Sequence, residues 1–185
     1  MGLFKKLATA LGLSKYEARI VVVGLDNSGK TTLINNIKPK KASTFEVTPT
    51  VGFQVESFAK DNLNFTIFDM SGQSRYRELW GHYYREVQAI IFVLDCTERV
   101  RMCVAKEELD ELLTHPDVSN SCTPILIFAN KMDLPGALSA VDCMEQLDLQ
   151  RISNKPWQIE ASNALTGEGI DRGLEWLAEK LRGRK

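Results

Sequence analysis

The sequence lacks any long hydrophobic run, and its charges nearly cancel. The longest uninterrupted apolar stretch in the 185 residues spans positions 89–94, far short of the roughly 20 residues that a membrane-spanning helix needs. Lys and Arg number 23 against 24 Asp and Glu, so the protein has no large basic field of the kind that attracts nucleic acid. We therefore expect neither a transmembrane protein nor a general nucleic-acid-binding protein.

Cysteine is also scarce. The four cysteines, at positions 96, 103, 122 and 143, form no C-x-x-C pair and have no histidine at ligand spacing, which argues against a zinc site or a redox pair. The N-terminus lacks the apolar core and small-residue cleavage site of a secretory signal, and the C-terminus lacks a prenylation box. We expect four reduced, mostly buried thiols in a cytoplasmic protein.

Short apolar runs alternate with amphipathic segments along the chain. The runs that predict strands are 20–23, 52–59, 64–69, 89–95, 125–130 and 157–161, and the segments that predict helices are 30–37, 99–114, 138–147 and 170–181. Fully apolar strands followed by helices favour a parallel sheet that is covered on both faces, and the hairpin at 52–69 adds an antiparallel edge strand. The predicted fold is α/β, with a six-stranded, mostly parallel sheet in one domain over residues 19–185.

A glycine-rich segment follows the first predicted strand. Residues 24–31 read GLDNSGKT, which fits G-x-x-x-x-G-K-[ST] between a strand and a helix. Glycines let the backbone point successive N–H groups at phosphate oxygens, Lys30 places an ammonium against the terminal phosphates, and the Thr31 hydroxyl can bind Mg²⁺. The predicted phosphate-binding residues are Gly24, Asp26, Asn27, Ser28, Gly29, Lys30, Thr31 and Thr32.

The segment after the strand at 125–130 indicates which base is bound. Asn130, Lys131 and Asp133 stand at the carboxyl end of that strand, where such sheets bind ligands. The Asp133 carboxylate can accept hydrogen bonds from N1–H and the 2-amino group of guanine, whereas adenine offers no donor at either position, so discrimination of roughly 10⁴-fold is expected. Lys131 can lay its methylene stem over the purine face. The pattern predicts guanine.

Two further loops carry residues suited to the terminal phosphate. Asp69 can hold Mg²⁺ through water, Gly72 can offer its backbone N–H to a γ-phosphate, and Gln73 can orient the attacking water. Upstream, Thr50 can complete the metal shell only when the γ-phosphate is present. Because both loops depend on one phosphate group, they predict an order–disorder switch. We expect catalysis to rest on Gln73 and Lys30.

The sequence shows no arginine placed to reach the γ-phosphate from within the chain. Arg75 and Arg77 follow Gln73, and we expect both on a solvated face. Slow hydrolysis is therefore expected, with an activating protein supplying an arginine worth about 10³–10⁵ in rate. Two alternatives stay open: a nucleotide kinase, which would need an arginine-bearing lid insertion, and a nucleotide-dependent scaffold without turnover.

Together these residues resemble the small GTPases, and among them the Arf and Arf-like family. The resemblance covers essentially the whole chain and rests on the segments GLDNSGKTT, PTVGF, DMSGQSRYRELWGHYY and NKMD. It implies a P-loop small-GTPase fold that is monomeric, binds GTP, GDP and Mg²⁺, and works with an exchange factor and an activating protein. It also implies that Ala161 and Ser162 form a third base-contacting segment and that Phe53, Phe68 and Tyr83 form the effector surface.

Two segments narrow the resemblance within the family. Residues 68–73 read FDMSGQ where most relatives carry WDxGGQ, and residues 101–117 read RMCVAKEELDELLTHPD. Both are similar to the ciliary Arf-like GTPases linked to Bardet–Biedl syndrome. This likeness implies a switch that, when bound to GTP, brings a BBSome-like coat complex to membranes at the cilium or its base.

The first 18 residues differ in character from the rest of the chain. Apolar residues share one helical stripe and lysines flank it, at Leu3, Phe4, Leu7, Ala8 and Leu11 and at Lys5, Lys6 and Lys15. This pattern is typical of an amphipathic helix for an anionic membrane surface, although a helix packed on the domain is an alternative. The resemblance implies release of this helix when GTP binds. Gly2 stands where a myristoyl group would attach, but Lys6 replaces the Ser or Thr of that pattern.

Overall fold

A central six-stranded sheet organises the chain. The computed structural model describes residues 16–39, 48–60 and 63–183. The strands are β1 (Tyr16–Val23), β2 (Phe53–Lys60), β3 (Leu63–Met70), β4 (Ala89–Asp95), β5 (Ile125–Asn130) and β6 (Trp157–Ala161). Their order is β2-β3-β1-β4-β5-β6; β2 pairs antiparallel with β3, and the remaining pairs are parallel. The predicted mostly parallel sheet with an antiparallel edge strand is confirmed.

Helices cover both faces of the sheet. The α-helices are α1 (Lys30–Ile37), α2 (Gly81–Tyr84), α3 (Met102–Thr114), α4 (Pro116–Ser119), α5 (Ala140–Gln146) and α6 (Ile170–Arg182), and short 3₁₀ turns lie at Ser74–Leu79, Arg99–Arg101 and Leu149–Arg151. Successive side chains of β1 enter two different cores, because strand side chains alternate between faces. Val21 packs in the core under α3 and α5, while Val22 packs in the core under α1 and α6.

The buried strands explain the apolar runs in the sequence. Every residue of β5 and all but the last of β4 are buried, as expected for parallel strands covered on both faces. On α6 the apolar side chains of the predicted amphipathic segment face the sheet. Ile170, Leu177 and Leu181 are each no more than 2% exposed. The alternation of strand and helix therefore follows directly from which side chains must leave water.

Some features differ from the sequence-based expectation. The segment at 99–114 begins as a 3₁₀ turn before α3, and the short helices α2 and α4 were not predicted, since four residues give no helical period to detect. Cys96 and Cys143 are buried but Cys103 and Cys122 are exposed, so the expectation of mostly buried thiols is wrong for two of the four.

Several predictions fall outside the described residues. These are the N-terminal amphipathic helix up to residue 15, the myristoylation position Gly2, the turn at residues 61–62 and the last two residues of the C-terminus. Within the described part of the chain, no helix combines the length and the apolar character needed to cross a membrane.

Candidate functional site

The glycine-rich loop joins β1 to α1 and needs its glycines for close packing. Gly24 has φ 137°, and a Cβ there would lie 2.2 Å from the carbonyl oxygen of Val93 on β4. Gly29 has φ 96°, and a Cβ there would lie 2.4 Å from Nδ2 of Asn130. Both positions combine a left-handed backbone with no room for a side chain. The loop is thereby pressed against the ends of β4 and β5.

Lys30 is held inside this loop. Its Nζ donates to the carbonyl oxygens of Gly24 at 2.9 Å and Leu25 at 2.7 Å, and the residue is only 6% exposed. Burial lowers the pKa of Lys30 to about 8, although the nearby Asp69 charge acts in the opposite direction. A buried, correctly oriented ammonium at the cleft is the group that phosphate oxygens would meet.

Three oxygen-bearing side chains converge beside Lys30. The Thr31 hydroxyl donates to Oδ2 of Asp69 at 2.7 Å, and the Thr50 hydroxyl lies 3.1 Å from that of Thr31 and 3.5 Å from the same carboxylate oxygen. Burial raises the pKa of Asp69, while the hydrogen bonds from Thr31 and Thr50 lower it. These are the three residues that the sequence predicts for Mg²⁺.

This oxygen cluster fits a magnesium ion. Asp69 is 1% exposed, and its second oxygen, Oδ1, is buried without a hydrogen-bond partner among the described residues. A buried carboxylate oxygen left unpaired is costly unless something else binds it. Mg²⁺ takes oxygen ligands from one or two carboxylates together with hydroxyls, water and substrate phosphates. Thr31, Thr50 and Asp69 could therefore hold the ion.

A cleft of about 260 Å³ opens over the loop and these hydroxyls. Its walls include six of the eight predicted phosphate-binding residues, all but Gly24 and Ser28, and add Thr48, Pro49 and Ser71. Gln73 also lines it, and Oε1 of Gln73 accepts a hydrogen bond of 3.1 Å from Nη2 of Arg75. The predicted catalytic pair, Lys30 and Gln73, thus shares one cavity.

Gly72 brings the segment that follows β3 into contact with the phosphate loop. A Cβ at this position would lie 2.2 Å from the backbone nitrogen of Asp26. Trp80 secures the same segment from below, because its Nε1 donates to the carbonyl oxygen of Ser71 at 3.0 Å and the ring is 2% exposed. A backbone without side chain, anchored by a buried indole, keeps this segment in contact with the loop.

The predicted base-binding residues line a second cleft of about 170 Å³. It shares Asn27, Gly29 and Thr32 with the phosphate cleft and adds Asn130, Lys131 and Asp133. The Nζ of Lys131 lies 2.5 Å from Oδ2 of Asp95, so the end of β4 holds the lysine that was predicted to cover the base. Burial raises the pKa of Asp95, but hydrogen bonds from Lys131 and Thr97 outweigh it and the net pKa is lowered.

Asn130 is a brace between three segments. Its Nδ2 donates to the carbonyl oxygen of Ser28 at 2.8 Å, and its Oδ1 accepts from the backbone N–H of Ala164 at 2.9 Å. The residue is 1% exposed. Both ends of the amide are used by the protein, so Asn130 joins the phosphate loop to the loop after β6.

The third base-contacting segment is displaced by two residues from its predicted position. The lining comes from Asn163, Ala164 and Leu165. The cleft lining does not include Ala161, which pairs with Ala129 in the sheet, or Ser162, whose N–H donates to the Ala129 carbonyl at 2.8 Å. The strand ends at residue 161 as predicted, and one further backbone hydrogen bond to β5 holds Ser162 out of the cleft lining.

Two arginines near the loop escaped the sequence analysis. The prediction of a solvated face is wrong for Arg77, whose side chain is 14% exposed: it donates to the Gly72 carbonyl at 2.8 Å and pairs with Glu108 of α3 at 2.7 Å. Arg101, just before α3, pairs with Asp26 in the phosphate loop. Their partners are 31 and 75 residues away in sequence, so no local pattern signals them.

The three predicted effector residues form one aromatic patch, defined here as Phe53, Phe68 and Tyr83. The ring centroids of Phe53 and Phe68 lie 5.2 Å and 4.9 Å from that of Tyr83. Phe53 is 44% exposed, and its apolar neighbours Val51 and Val55 are 67% and 51% exposed. Solvated apolar side chains clustered around tilted aromatic rings are typical of a protein-binding surface.

Comparison with known proteins places this geometry in context. Residues 4–181 match the model of the ADP-ribosylation factor family. The chain is 56% identical, over the full length of both proteins, to ADP-ribosylation factor-like protein 6 of Danio rerio. Its identity to the protein of that name in Caenorhabditis elegans is 44%, over 98% of this chain and 95% of the relative.

A solved structure shows the same likeness. The Arl6 BBS3 small GTPase of Trypanosoma brucei, with the bound nucleotide analogue GppNp, superposes with a TM-score of 0.85 at 42% identity. The match covers 91% of this chain and 99% of the other.

Proposed function

We propose a specific role for this chain within the family to which it belongs, the ADP-ribosylation factor family of small GTPases. As a member, it binds GTP and GDP with Mg²⁺, hydrolyses GTP and is a nucleotide-dependent switch. The kinase and the scaffold without turnover are thereby excluded. The proposed role is recruitment of a BBSome-like coat complex to ciliary membranes by the GTP-bound form.

The observation that carries this proposal is the short distance along the chain between the oxygen cluster (Thr31, Thr50 and Asp69) and the aromatic patch. Phe68 immediately precedes Asp69 on β3, and Phe53 begins β2 three residues after Thr50. A ligand that draws Thr50 and Asp69 together therefore acts on the two strands that carry the patch. Whether GTP or GDP is bound can therefore change the surface that a partner protein contacts.

The hydrolytic roles proposed for individual residues follow from their positions. Lys30 neutralises charge on the phosphates, Gln73 orients water, and the Mg²⁺ held by Thr31, Thr50 and Asp69 supplies further electrostatic stabilisation when bound. Arg75 and Arg77 are occupied with Gln73, Glu108 and the Gly72 carbonyl. An activating protein is therefore proposed to bring the missing arginine.

Single-turnover hydrolysis tests these roles. The purified chain loaded with GTP should hydrolyse it far more slowly than 1 s⁻¹, as expected without an activating arginine. Gln73→Leu should retain GTP longer still while binding it normally. An intrinsic rate near 1 s⁻¹, or unchanged hydrolysis in Gln73→Leu, would contradict the assignment.

The coat partner is supported by the names of the relatives and by the aromatic patch. The solved relative is described as Arl6 BBS3, and the sequence segments at 68–73 and 101–117 are similar to the same ciliary branch. Phe68 stands where most of the family carries Trp. It is only 9% exposed, so the accessible part of the patch comes from Phe53 and its neighbours Val51 and Val55. An exchange factor, residence at the cilium or its base, and a monomeric state complete the proposal.

Binding of purified BBSome tests the partner directly. Gln73→Leu loaded with GTP should bind it, and the same protein loaded with GDP should not. Phe53→Ala should weaken binding about tenfold or more, as an exposed hot-spot aromatic does. Val141→Ala, which truncates an apolar side chain on α5 that is even more exposed than Phe53, should bind normally. Equal binding of the two nucleotide forms would contradict a switch-dependent partner.

Membrane attachment is proposed for residues 1–15. The GTPase domain begins at residue 16 and not at 19 as predicted, because residues 16–18 pair with β3 in the sheet. The basic, amphipathic pattern of this segment favours an anionic interface, but one short helix gives only marginal affinity, so a second contact is expected. Flotation with anionic liposomes should recover more protein with a non-hydrolysable GTP analogue than with GDP. Equal recovery would remove nucleotide-dependent release of the helix. Mass determination of protein from its native cells would show whether Gly2 carries a lipid.

A further inference from the structure

Two buried cysteines face each other next to the base cleft. The sulfurs of Cys96 and Cys143 are 3.5 Å apart, and neither residue is exposed to solvent. Cys96 directly follows β4, and Cys143 lies in α5, 47 residues further along the chain. No short-range spacing rule could find such a pair, because the fold alone brings the two thiols together.

We propose that Cys96 and Cys143 are a modification site, a dithiol that a peroxide-class oxidant converts reversibly into a disulfide. The sulfurs are already in contact at 3.5 Å, and they need to approach by only about 1.5 Å to reach the disulfide bond length of about 2.05 Å. Cys96 lies in the turn that follows β4, and Cys143 lies in the short helix α5, whose movement would close the remaining distance.

The contact between the sulfurs also prepares one of them for reaction. A hydrogen bond from Cys96 lowers the pKa of the Cys143 thiol, and the same contact raises that of Cys96. Because Cys143 lies on the short helix α5 while the backbone of Cys96 is hydrogen-bonded at the end of β4, we assign Cys143 as the sulfur that reacts with peroxide as a thiolate. Cys96, held against it, is the resolving thiol.

The reaction is balanced with hydrogen peroxide as the oxidant. The Cys143 thiolate attacks one oxygen, the O–O bond breaks, and a sulfenic acid and hydroxide form; the proton released by Cys143 converts that hydroxide to water. The Cys96 sulfur then attacks the Cys143 sulfur, the S–S bond forms, the S–O bond breaks, and the departing hydroxide takes the Cys96 proton. Two thiols and one peroxide give one disulfide and two waters.

Access for the oxidant comes from local opening of α5. This helix has seven residues, and Cys143 is its single buried one. Ala140 and Met144 also pack on the core, but only partly buried. Opening of one short helix costs less than unfolding of the domain. The capping box between Ser139 and Asp142 keeps the first turn formed, so the helix can move as a unit.

The site touches the base cleft through the backbone of Cys96. Its N–H donates to the Asn130 carbonyl at 3.1 Å, and its carbonyl accepts from Leu138 at 2.9 Å. The preceding residue, Asp95, holds Lys131. Drawing Cys96 toward α5 therefore disturbs Asn130 and Lys131, two of the residues that line the cleft. We expect faster release of nucleotide as a result. This consequence rests on the proposed roles of Asn130 and Lys131, whereas the disulfide itself does not.

The first test detects the disulfide. The full chain loaded with GDP and Mg²⁺ carries Cys103→Ser and Cys122→Ser, which remove the two exposed thiols. After hydrogen peroxide, denaturation and alkylation with N-ethylmaleimide, the protein should lose the mass of two hydrogens, take up no label and yield linked peptides containing Cys96 and Cys143. Dithiothreitol should restore both labels, and Cys143→Ala in the same background should give no link.

Failure of that test has a clear form. Full labelling of both thiols, at peroxide levels that oxidise Cys103 and Cys122 in the unsubstituted chain, overturns the proposal. So does conversion of Cys143 to its sulfinic acid without a linked peptide. The result is read from the protein in which Cys96 and Cys143 are both intact, so instability of Cys143→Ala would not obscure it. Cys96→Ala provides a second control.

The second test measures release of a fluorescent GDP analogue from the oxidised and the reduced protein. We expect about fivefold faster release after oxidation, the lower range of coupling between linked sites, and recovery with dithiothreitol. A disulfide with unchanged release would overturn the link to the base cleft while leaving the modification site. Weak GDP binding by the reduced protein would instead count against the proposed base site.

Discussion

The two ends of the nucleotide cleft are built differently. At the base end, Asn130 uses its whole amide on Ser28 and Ala164, and Lys131 is held by Asp95. At the phosphate end, Oδ1 of Asp69 and the Ser28 hydroxyl are buried without hydrogen-bond partners among the described residues. The protein organises the base end itself, whereas the phosphate end leaves bonding capacity that only a ligand can use. One end is made to hold, and the other to respond.

The largest effect is expected from Asn130→Ala, which would break the base end. It leaves the Ser28 carbonyl and the Ala164 N–H buried without partners, at about 1–3 kcal/mol each. We expect the free energy of unfolding in urea to fall by about 3 kcal/mol and GDP affinity to fall with it. Asn154→Ala is the matched control, because that exposed amide makes one 3.4 Å bond to the Ser119 carbonyl. Equal losses in both variants would mean that the base end does not depend on this brace.

Thr31→Val tests the opposite property at the phosphate end. It keeps the shape of the side chain and removes the hydroxyl that lies 2.7 Å from Asp69. Affinity for GTP with Mg²⁺ should fall roughly 30-fold, about 2 kcal/mol, while unfolding changes much less. Removal of Mg²⁺ with EDTA should lower the GTP affinity of the native protein strongly and that of Thr31→Val only a little. Thr66→Val on β3, outside the cluster, should bind as the native protein does; equal affinity in Thr31→Val would argue against a metal role.

Two arginines on the phosphate side allow a sharper comparison. Arg77→Ala removes a mostly buried guanidinium from Gly72 and Glu108. The free energy of unfolding should fall by about 1.5–2 kcal/mol, and GTP hydrolysis should slow because Gly72, the neighbour of Gln73, loses its anchor. Arg75→Ala removes an exposed side chain two residues earlier and should change stability by less than about 0.5 kcal/mol. If the two variants have the same free energy of unfolding, the contacts of Arg77 do not hold the segment around Gly72 and Gln73.

The smallest effect is expected at the outer edge of the hairpin. Lys38 at the end of α1 pairs with Glu56 on β2 at 2.6 Å, with side-chain exposures of 6% and 34%. Glu56→Gln should lower the free energy of unfolding by about 1 kcal/mol, because Lys38 stays buried with a weaker partner. Glu86→Gln, whose pairing with Arg19 at 3.6 Å is solvated, should have almost no effect. Similar values for both would mean that burial adds nothing to the first pair.

Sequence reasoning reached the sheet and the metal cluster because both follow local rules. A strand buried on two faces must be apolar throughout, and a loop that binds phosphate must place glycine, lysine and threonine at set positions. The roles of Arg77 and Asn130 depend on partners from distant segments. Neither a helical period nor a motif reports that Arg77 meets Glu108 or that Asn130 meets Ala164.

The end of β6 shows a second limit. The resemblance placed Ala161 and Ser162 at the base, but strand pairing occupies the Ser162 N–H and moves the cleft lining to residues 163–165. The strand itself ends where the apolar run predicts, but the partner of the Ser162 N–H is Ala129 on β5, 33 residues earlier, and no local pattern reports that hydrogen bond. The short helices α2 and α4 escaped for the related reason that one turn has no period.

The Asn130 brace has a consequence for how the protein is made. Its two partners, Ser28 and Ala164, stand near opposite ends of the 185-residue chain. During synthesis the amino-terminal strand and loop emerge first, yet the brace cannot close until residue 164 has left the ribosome. A shortened product that ends before this residue would carry the complete phosphate motif but an open base end. Closure of the cleft that Asn130 braces therefore requires the chain to be complete to at least residue 164.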